Sequence, residues 1–182
     1  MSISVWETTL AKELSLIKDI DLRAKVINVL TNEISERHLR MPASSTGKYH
    51  PDFSNGEGGL VRHVKAVVLL VSELSRARPD MNPDILIAAA ILHDFRKYEG
   101  VDPYTKHEHP ATMAALCYQY GMPDVARLIE SHMGIWTTAK NSKIVLPRPE
   151  RDDEWLLHYA DYIASRKWMK ISFNEGGDIV QE

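Results

Sequence analysis

Apolar residues recur along this chain at three- and four-residue spacing, and they do not alternate with polar residues over any useful length. That period marks helices with one face in a core, so the pattern predicts an all-α bundle of about seven helices. The first is predicted from about Val5 to Ile17. The second follows Asp21, read as its N-cap, and carries Leu22, Val26, Val29, Leu30 and Ile34. A third spans roughly Leu60 to Ala77. The fourth opens at Asn82-Pro83, a capping residue with proline in the first turn, and ends near Asp94. The fifth runs from about Pro110 to Tyr120 and stops at Gly121, and the sixth from Pro123 to near His132. The last begins at Asp152 or Asp153 and continues to about Lys170. Two long polar stretches interrupt the series, Met41 to Gly59 and Gly134 to Glu150. Connections of that length are often functional. The tail from Phe173 onward is polar, contains Gly176-Gly177 and is expected to be loose.

The length, 182 residues, suits one domain, with a core motif region at 58–166, N-terminal helices (1–40) packed on it and a C-terminal tail (171–182). Hydrophobic residues make up 44% and charged residues 26%, ordinary values for a globular protein. The formal net charge of −3 argues against a protein that coats duplex nucleic acid, but leaves room for a small anionic substrate held by a few local cations. Cys117 is the one cysteine, so neither an internal disulfide nor a cysteine zinc site can form, as expected in the cytoplasm. No apolar run approaches the ~18 residues of a membrane span, and the N-terminus does not read as a signal peptide.

Four predicted helices carry a metal-capable side chain on an apolar face. His63 lines up with Val67, Leu70, Val71 and Leu74; His93, followed at once by Asp94, with Leu86, Ala89 and Ala90. His132 lines up with Val125, Leu128 and Ile129, and Asp161 with Leu157, Ala164 and Trp168. One histidine on such a face is ordinarily a hydrogen-bonded core residue. Two carboxylates and three histidines directed into one core are costly unless something compensates them, and a divalent cation does. Imidazole and carboxylate ligands suit manganese, iron, cobalt, nickel or zinc.

Taken in order, GGLVRHVKAV, AAAILHDFRKY, KHEHPATMAA, IESHMGIW and LLHYADYIASR resemble the HD superfamily of metal-dependent phosphohydrolases. The likeness is nearest to the HD domain of bacterial 3′→5′ exoribonucleases and to stand-alone phage and bacterial HD proteins. It implies a helical bundle with one or two metal ions: His63, His93, Asp94 and Asp161 around the main ion, and His109 and His132 around a second, with Asp94 bridging. His107 is the rival of His109, whose His-Pro pair at a helix start fits the family pattern better.

The same resemblance implies an enzyme that hydrolyses a phosphoester in a nucleotide or short single-stranded nucleic acid. The reaction needs a strong nucleophile at neutral pH and relief of phosphoryl charge, both of which a divalent cation supplies. One-metal nucleotidases of the family carry a glutamate three residues after the aspartate. Here that position is Lys97, which resembles the phosphate-holding lysine of the HD-x-G-K variant, although Arg96 replaces its glycine. Asp94 and Lys97 are therefore the expected catalytic pair, and phosphodiesterase or exonuclease-like chemistry is favoured. Nucleotide phosphatase or triphosphohydrolase activity is the alternative within hydrolases, and a di-iron oxygenase is the alternative from another class.

Arg96, Lys106, Arg166, Tyr49 and His50 are further candidates for substrate contact, with Trp136 and Lys140 weaker ones. For each, a solvated or turn-packing side chain is the competing reading. His38 and His158 are read as non-ligands, and a homo-oligomer stays open.

Overall fold

The computed structural model describes residues 3–98, 100, 102–137, 140 and 143–180, and these form eight α-helices and two 3₁₀ turns. The helices are α1 (Val5–Thr9), α2 (Ala11–Leu16), α3 (Ile20–Glu33), α4 (Gly59–Ser75), α5 (Pro83–Leu92), α6 (His109–Gln119), α7 (Pro123–Ser131) and α8 (Asp152–Ala164). Both 3₁₀ turns, Glu36–Arg40 and Asp52–Ser54, lie between α3 and α4. Strand-like pairing among the described residues amounts to one bridge between Phe173 and Ile179.

Local chemistry sets most helix ends. Ser4 and Glu7 form a reciprocal cap on α1, the hydroxyl accepting from the Glu7 amide at 3.2 Å and the carboxylate from the Ser4 amide at 2.9 Å. Asn82 caps α5 ahead of Pro83, and α6 stops before Gly121, whose φ of +69° is open to glycine at little cost.

Three boundaries differ from the sequence reading. The single helix expected from Val5 to Ile17 breaks at Leu10 (φ −112°, ψ 24°), and the two pieces turn Trp6, Leu10, Leu14 and Ile17 all into the core. The cap of α3 is Asp19, not Asp21: its side chain accepts from the Leu22 amide at 3.0 Å. Asp84 holds the amides of Lys18 and Asp19 and so sets the entry earlier. The last helix ends at Ala164 rather than Lys170. There the Ser165 amide folds back on the carbonyls of Asp161 and Tyr162, and Arg166 Nε donates to the Tyr162 carbonyl. Trp168, expected on the Asp161 face, lies beyond that end and is 67% exposed.

The centre of the bundle is α5, buried from Leu86 to Leu92 without a polar face, as befits a helix surrounded by others. It packs on α2, α3, α4, α7 and α8, while α4 also lies along α8 and α6 along α7. One apolar cluster runs from Trp6 to Ala164, with Trp6 edge-on to Phe95 at 4.9 Å. The tail is not loose. Residues 172–180 fold back as a small hairpin through Gly177 (φ +76°), and Asp178 pairs with the buried Lys65 at 2.8 Å and with Lys12 at 2.9 Å. Among the described residues, no helix is long and apolar enough to cross a membrane.

Gly134 lies against the chain at Pro147, where an added Cβ would stand 1.8 Å from the Pro147 carbonyl oxygen and 2.5 Å from its carbon. Both are backbone atoms with little freedom to retreat. Gly134→Ala is expected to lower unfolding stability by about 1–3 kcal/mol in urea denaturation. An unchanged midpoint would contradict this close approach.

Candidate metal centre

Six side chains from five helical segments converge in the bundle. His63 comes from the second turn of α4 and Asp161 from the last turn of α8. His93 and His132 sit at the C-terminal ends of α5 and α7, with Asp94 directly after His93, and His109 opens α6. All are at most 1% exposed, apart from the Asp161 side chain at 16%. His63 Nε2 lies 3.0 Å from Asp161 Oδ1, 3.4 Å from Asp94 Oδ2 and 3.4 Å from His93 Nε2. On the other side of the same carboxylate, Asp94 Oδ1 lies 2.9 Å from His109 Nε2 and 3.9 Å from His132 Nε2. Asp94 thus presents one oxygen to each half of the cluster. His107, two residues before His109, is exposed.

The ring orientations follow from helix geometry. His93 Nδ1 is 2.8 Å from the Ala90 carbonyl, His132 Nδ1 2.6 Å from that of Ile129, and His109 Nδ1 2.6 Å from that of Lys106. A carbonyl only accepts, so each Nδ1 carries the proton and each Nε2 turns its lone pair inward. In α5 and α7 these carbonyls belong to the last helical turn, and that of Ile129 also accepts from the His132 amide at 3.3 Å. His132 gains further support from behind, because His158 Nδ1 donates to its backbone carbonyl at 2.7 Å.

Asp94 Oδ1, His109 Nε2 and His132 Nε2 are all buried and make no hydrogen bond; the 2.9 Å approach of His109 to Asp94 is misaligned for one. Lone pairs from imidazole and carboxylate, facing one another without protons between them, fit a cation. Two sets of ligand atoms draw within 4.8 Å of one another: His63, His93 and Asp161, and His93, Asp94 and His132.

Electrostatics agree. Burial pushes His132 down to about 3 and lowers His93 as well, which favours the neutral ring at both. Burial alone would raise Asp94, but the Lys97 ammonium above all holds it well below the usual carboxylate range. Asp161 is likewise held down against burial, first of all by His63.

Of the other candidates, Lys97 and His50 face the centre. Lys97 Nζ donates to Asp94 Oδ2 at 2.7 Å, with its side chain 12% exposed. Burial, then the charges of Lys97 and His63, press His50 downward. Arg96 turns to Glu33 on α3 at 3.9 Å, and Lys106 pairs with Asp102. Arg166 stacks on Tyr162 with its carbon 4.3 Å from the ring centroid. Tyr49 is 57% exposed, and Trp136 stacks on Tyr162 at 5.8 Å. His38 is bound at both nitrogens by the carbonyls of Ser35 and Tyr98. Sequence reading missed Arg62, which ties the long connection to the start of α4 through the carbonyls of Phe53, Asn55 and Glu57. Its adjacency to His63 was the available signal.

The family profile described as HD domain matches residues 60–166. Among curated proteins, the dihydroneopterin 2′,3′-cyclic phosphate phosphodiesterase of Methanocaldococcus jannaschii is 27% identical over 170 residues, covering 82% of this chain and 65% of the relative. No solved structure gives a significant match.

Divalent metal added to metal-free protein is expected to raise Tm with concentration, because the ion binds the assembled cluster and not the unfolded chain. Asp94→Ala should abolish most of that rise, and an equal rise in the variant would remove Asp94 from the centre. Acid should weaken the metal-free fold. An unfolded histidine titrates near ~6.5, whereas the folded His132 titrates near 3, so the unfolded chain takes up protons first. Stability present above pH ~6.5 is then lost as the pH falls toward 3. Melting followed by circular dichroism should show Tm dropping between pH 7.5 and 5, and a flat profile would contradict the buried neutral rings.

Proposed function

The chain belongs to the HD superfamily of metal-dependent phosphohydrolases, and from that premise we propose that it hydrolyses a phosphodiester in a nucleotide-like molecule or short single-stranded nucleic acid. The observation that carries this reading is the shared carboxylate of Asp94, with unpartnered imidazole nitrogens on one oxygen and the Lys97 ammonium on the other. We assign His63, His93, Asp94 and Asp161 to a main divalent ion, and His109 and His132, with Asp94 shared, to a second. Manganese, iron, cobalt, nickel and zinc all suit such ligands. When bound, such ions acidify water and draw charge from phosphoryl oxygens.

The chain's own groups do the rest. Asp94 and Asp161, ionised in the folded state, balance the cations. His93, His109 and His132 keep their Nε2 lone pairs aimed inward because backbone carbonyls hold their Nδ1 protons. Lys97 spends one N–H on Asp94, and an ammonium has three, which leaves donors for a phosphoryl oxygen. Water adds across one P–O bond: its oxygen joins phosphorus, the ester oxygen leaves with a proton, and a phosphomonoester and an alcohol result.

Two features favour a diester over a monoester. The position three residues after Asp94 holds a cation rather than a carboxylate, so no side chain there can guide water by accepting its proton. The relative from Methanocaldococcus jannaschii is named for cleaving a 2′,3′-cyclic phosphate, itself a diester. A cytoplasmic location completes the proposal, in keeping with the single thiol, Cys117, which is buried.

The test is hydrolysis of 2′,3′-cyclic nucleotides, linear dinucleotides, single-stranded oligonucleotides and nucleoside monophosphates by protein loaded with each metal. Diesters should be cleaved at least about tenfold faster than monoesters; preferential monoester cleavage would favour a phosphatase. Lys97→Ala should raise KM and lower kcat, costing on the order of 10–100-fold in kcat/KM, with metal content unchanged. Lys97→Glu should not restore turnover, since it sets a negative charge against the phosphate. A fully active Lys97→Glu enzyme would overturn the phosphate-holding role.

A further inference from the structure

His50 lies in the long connection between α3 and α4, outside every helix, yet both of its ring nitrogens are buried and neither makes a hydrogen bond. A buried imidazole without partners is unfavourable unless something it meets in use supplies them. Its ring stands 5.8 Å from that of His63. This continues a row in which His63 and His93 are 5.5 Å apart, His93 and His132 5.2 Å, and His132 and His109 5.4 Å. His50 is the outermost member, at the His63 end. Its nitrogens belong to neither set of ligand atoms that draw together around the centre. It therefore borders the centre without completing it.

The surroundings select the kind of ligand. An imidazole always has at least one N–H to give, and the Lys97 ammonium also faces the centre that His50 borders. An N–H donor beside an ammonium, bordering two acidic ligands that a divalent cation would neutralise, suits the oxygen of an anion. Tyr49, the neighbouring candidate, is exposed, with the Lys48 ammonium 5.1 Å from its ring centroid.

The position of His50 is built rather than incidental. After Pro51 the chain makes a 3₁₀ turn, closed by the Ser54 amide and hydroxyl on the Pro51 carbonyl at 3.1 and 3.0 Å. The Ser54 carbonyl accepts from Ala43, and it presses so near Gly59 that a Cβ there would stand 2.1 Å from it. Arg62 binds three carbonyls of the same stretch, and Phe53 lies on Phe173 of the tail at 5.5 Å. The helix that carries His63 thus also holds the segment that carries His50.

We propose that His50 is a substrate-contacting residue whose imidazole N–H donates to a phosphate oxygen held at the metal centre, alongside Lys97. This rests on the phosphohydrolase reading above for the identity of the ligand. The test is calorimetric titration of inorganic phosphate into manganese-loaded wild type, His50→Ala, His50→Phe and His50→Gln, with manganese content measured on each. His50→Ala and His50→Phe should bind phosphate about tenfold more weakly with manganese unchanged. His50→Gln, which keeps an N–H donor, should recover much of the loss. Unchanged affinity in His50→Ala, or no phosphate binding by wild type, would overturn the proposal. Loss of manganese from His50→Ala would overturn it too, by making His50 a ligand. If affinity depends on His50 while wild type cleaves no phosphoester, the contact stands and the hydrolase reading fails.

Discussion

Two ionised carboxylates and four imidazoles buried in a core of helices form the constraint on which the rest of this structure depends. Asp94 is 1% exposed, and His63, His93 and His132 are fully buried. Removing such groups from water costs several kcal/mol per ion even after relaxation. Lys97 answers part of the charge of Asp94 with an ion pair at 2.7 Å, and His63 part of that of Asp161 at 3.0 Å. The remaining lone pairs on Asp94, His109 and His132 have no protein partner. A divalent cation would account for them together.

Helix ends give that cluster its shape. His93 and His132 stand at the C-terminal ends of α5 and α7, and each ring binds a carbonyl of the last turn, that of Ile129 being shared with the His132 amide. The same bond fixes the tautomer. His63 and Asp161 come from within α4 and α8, which lie along each other, and their side chains meet at 3.0 Å. The backbone therefore sets the direction of these side chains without help from an ion, as a preorganised metal site would require.

Much of this was legible in the sequence, for identifiable reasons. Helical periodicity and capping residues such as Asn82-Pro83 are local, so the number and order of the main helices follow from them. The cluster was legible because His63, His93, His132 and Asp161 lie on apolar faces, and because the ordered motifs, with His109 at a His-Pro helix start, resemble a known family. Cations were less so. Arg96, Lys106 and Arg166 look alike in sequence, and only the fold shows that they turn to Glu33, Asp102 and Tyr162. Those are choices among partners, some of them far away in the chain. The ordering of the polar connection before α4 was hidden for the same reason. It depends on Arg62, on the missing side chain of Gly59 and on a tail more than a hundred residues later, which composition alone made look loose.

The account stands or falls on where a metal binds. Crystals grown with manganese and measured at a wavelength where it scatters anomalously would locate the ion directly. The predicted result is a strong anomalous peak among His63, His93, Asp94 and Asp161, with any second peak between Asp94, His109 and His132. Manganese bound elsewhere on the surface, with none at Asp94, would contradict it.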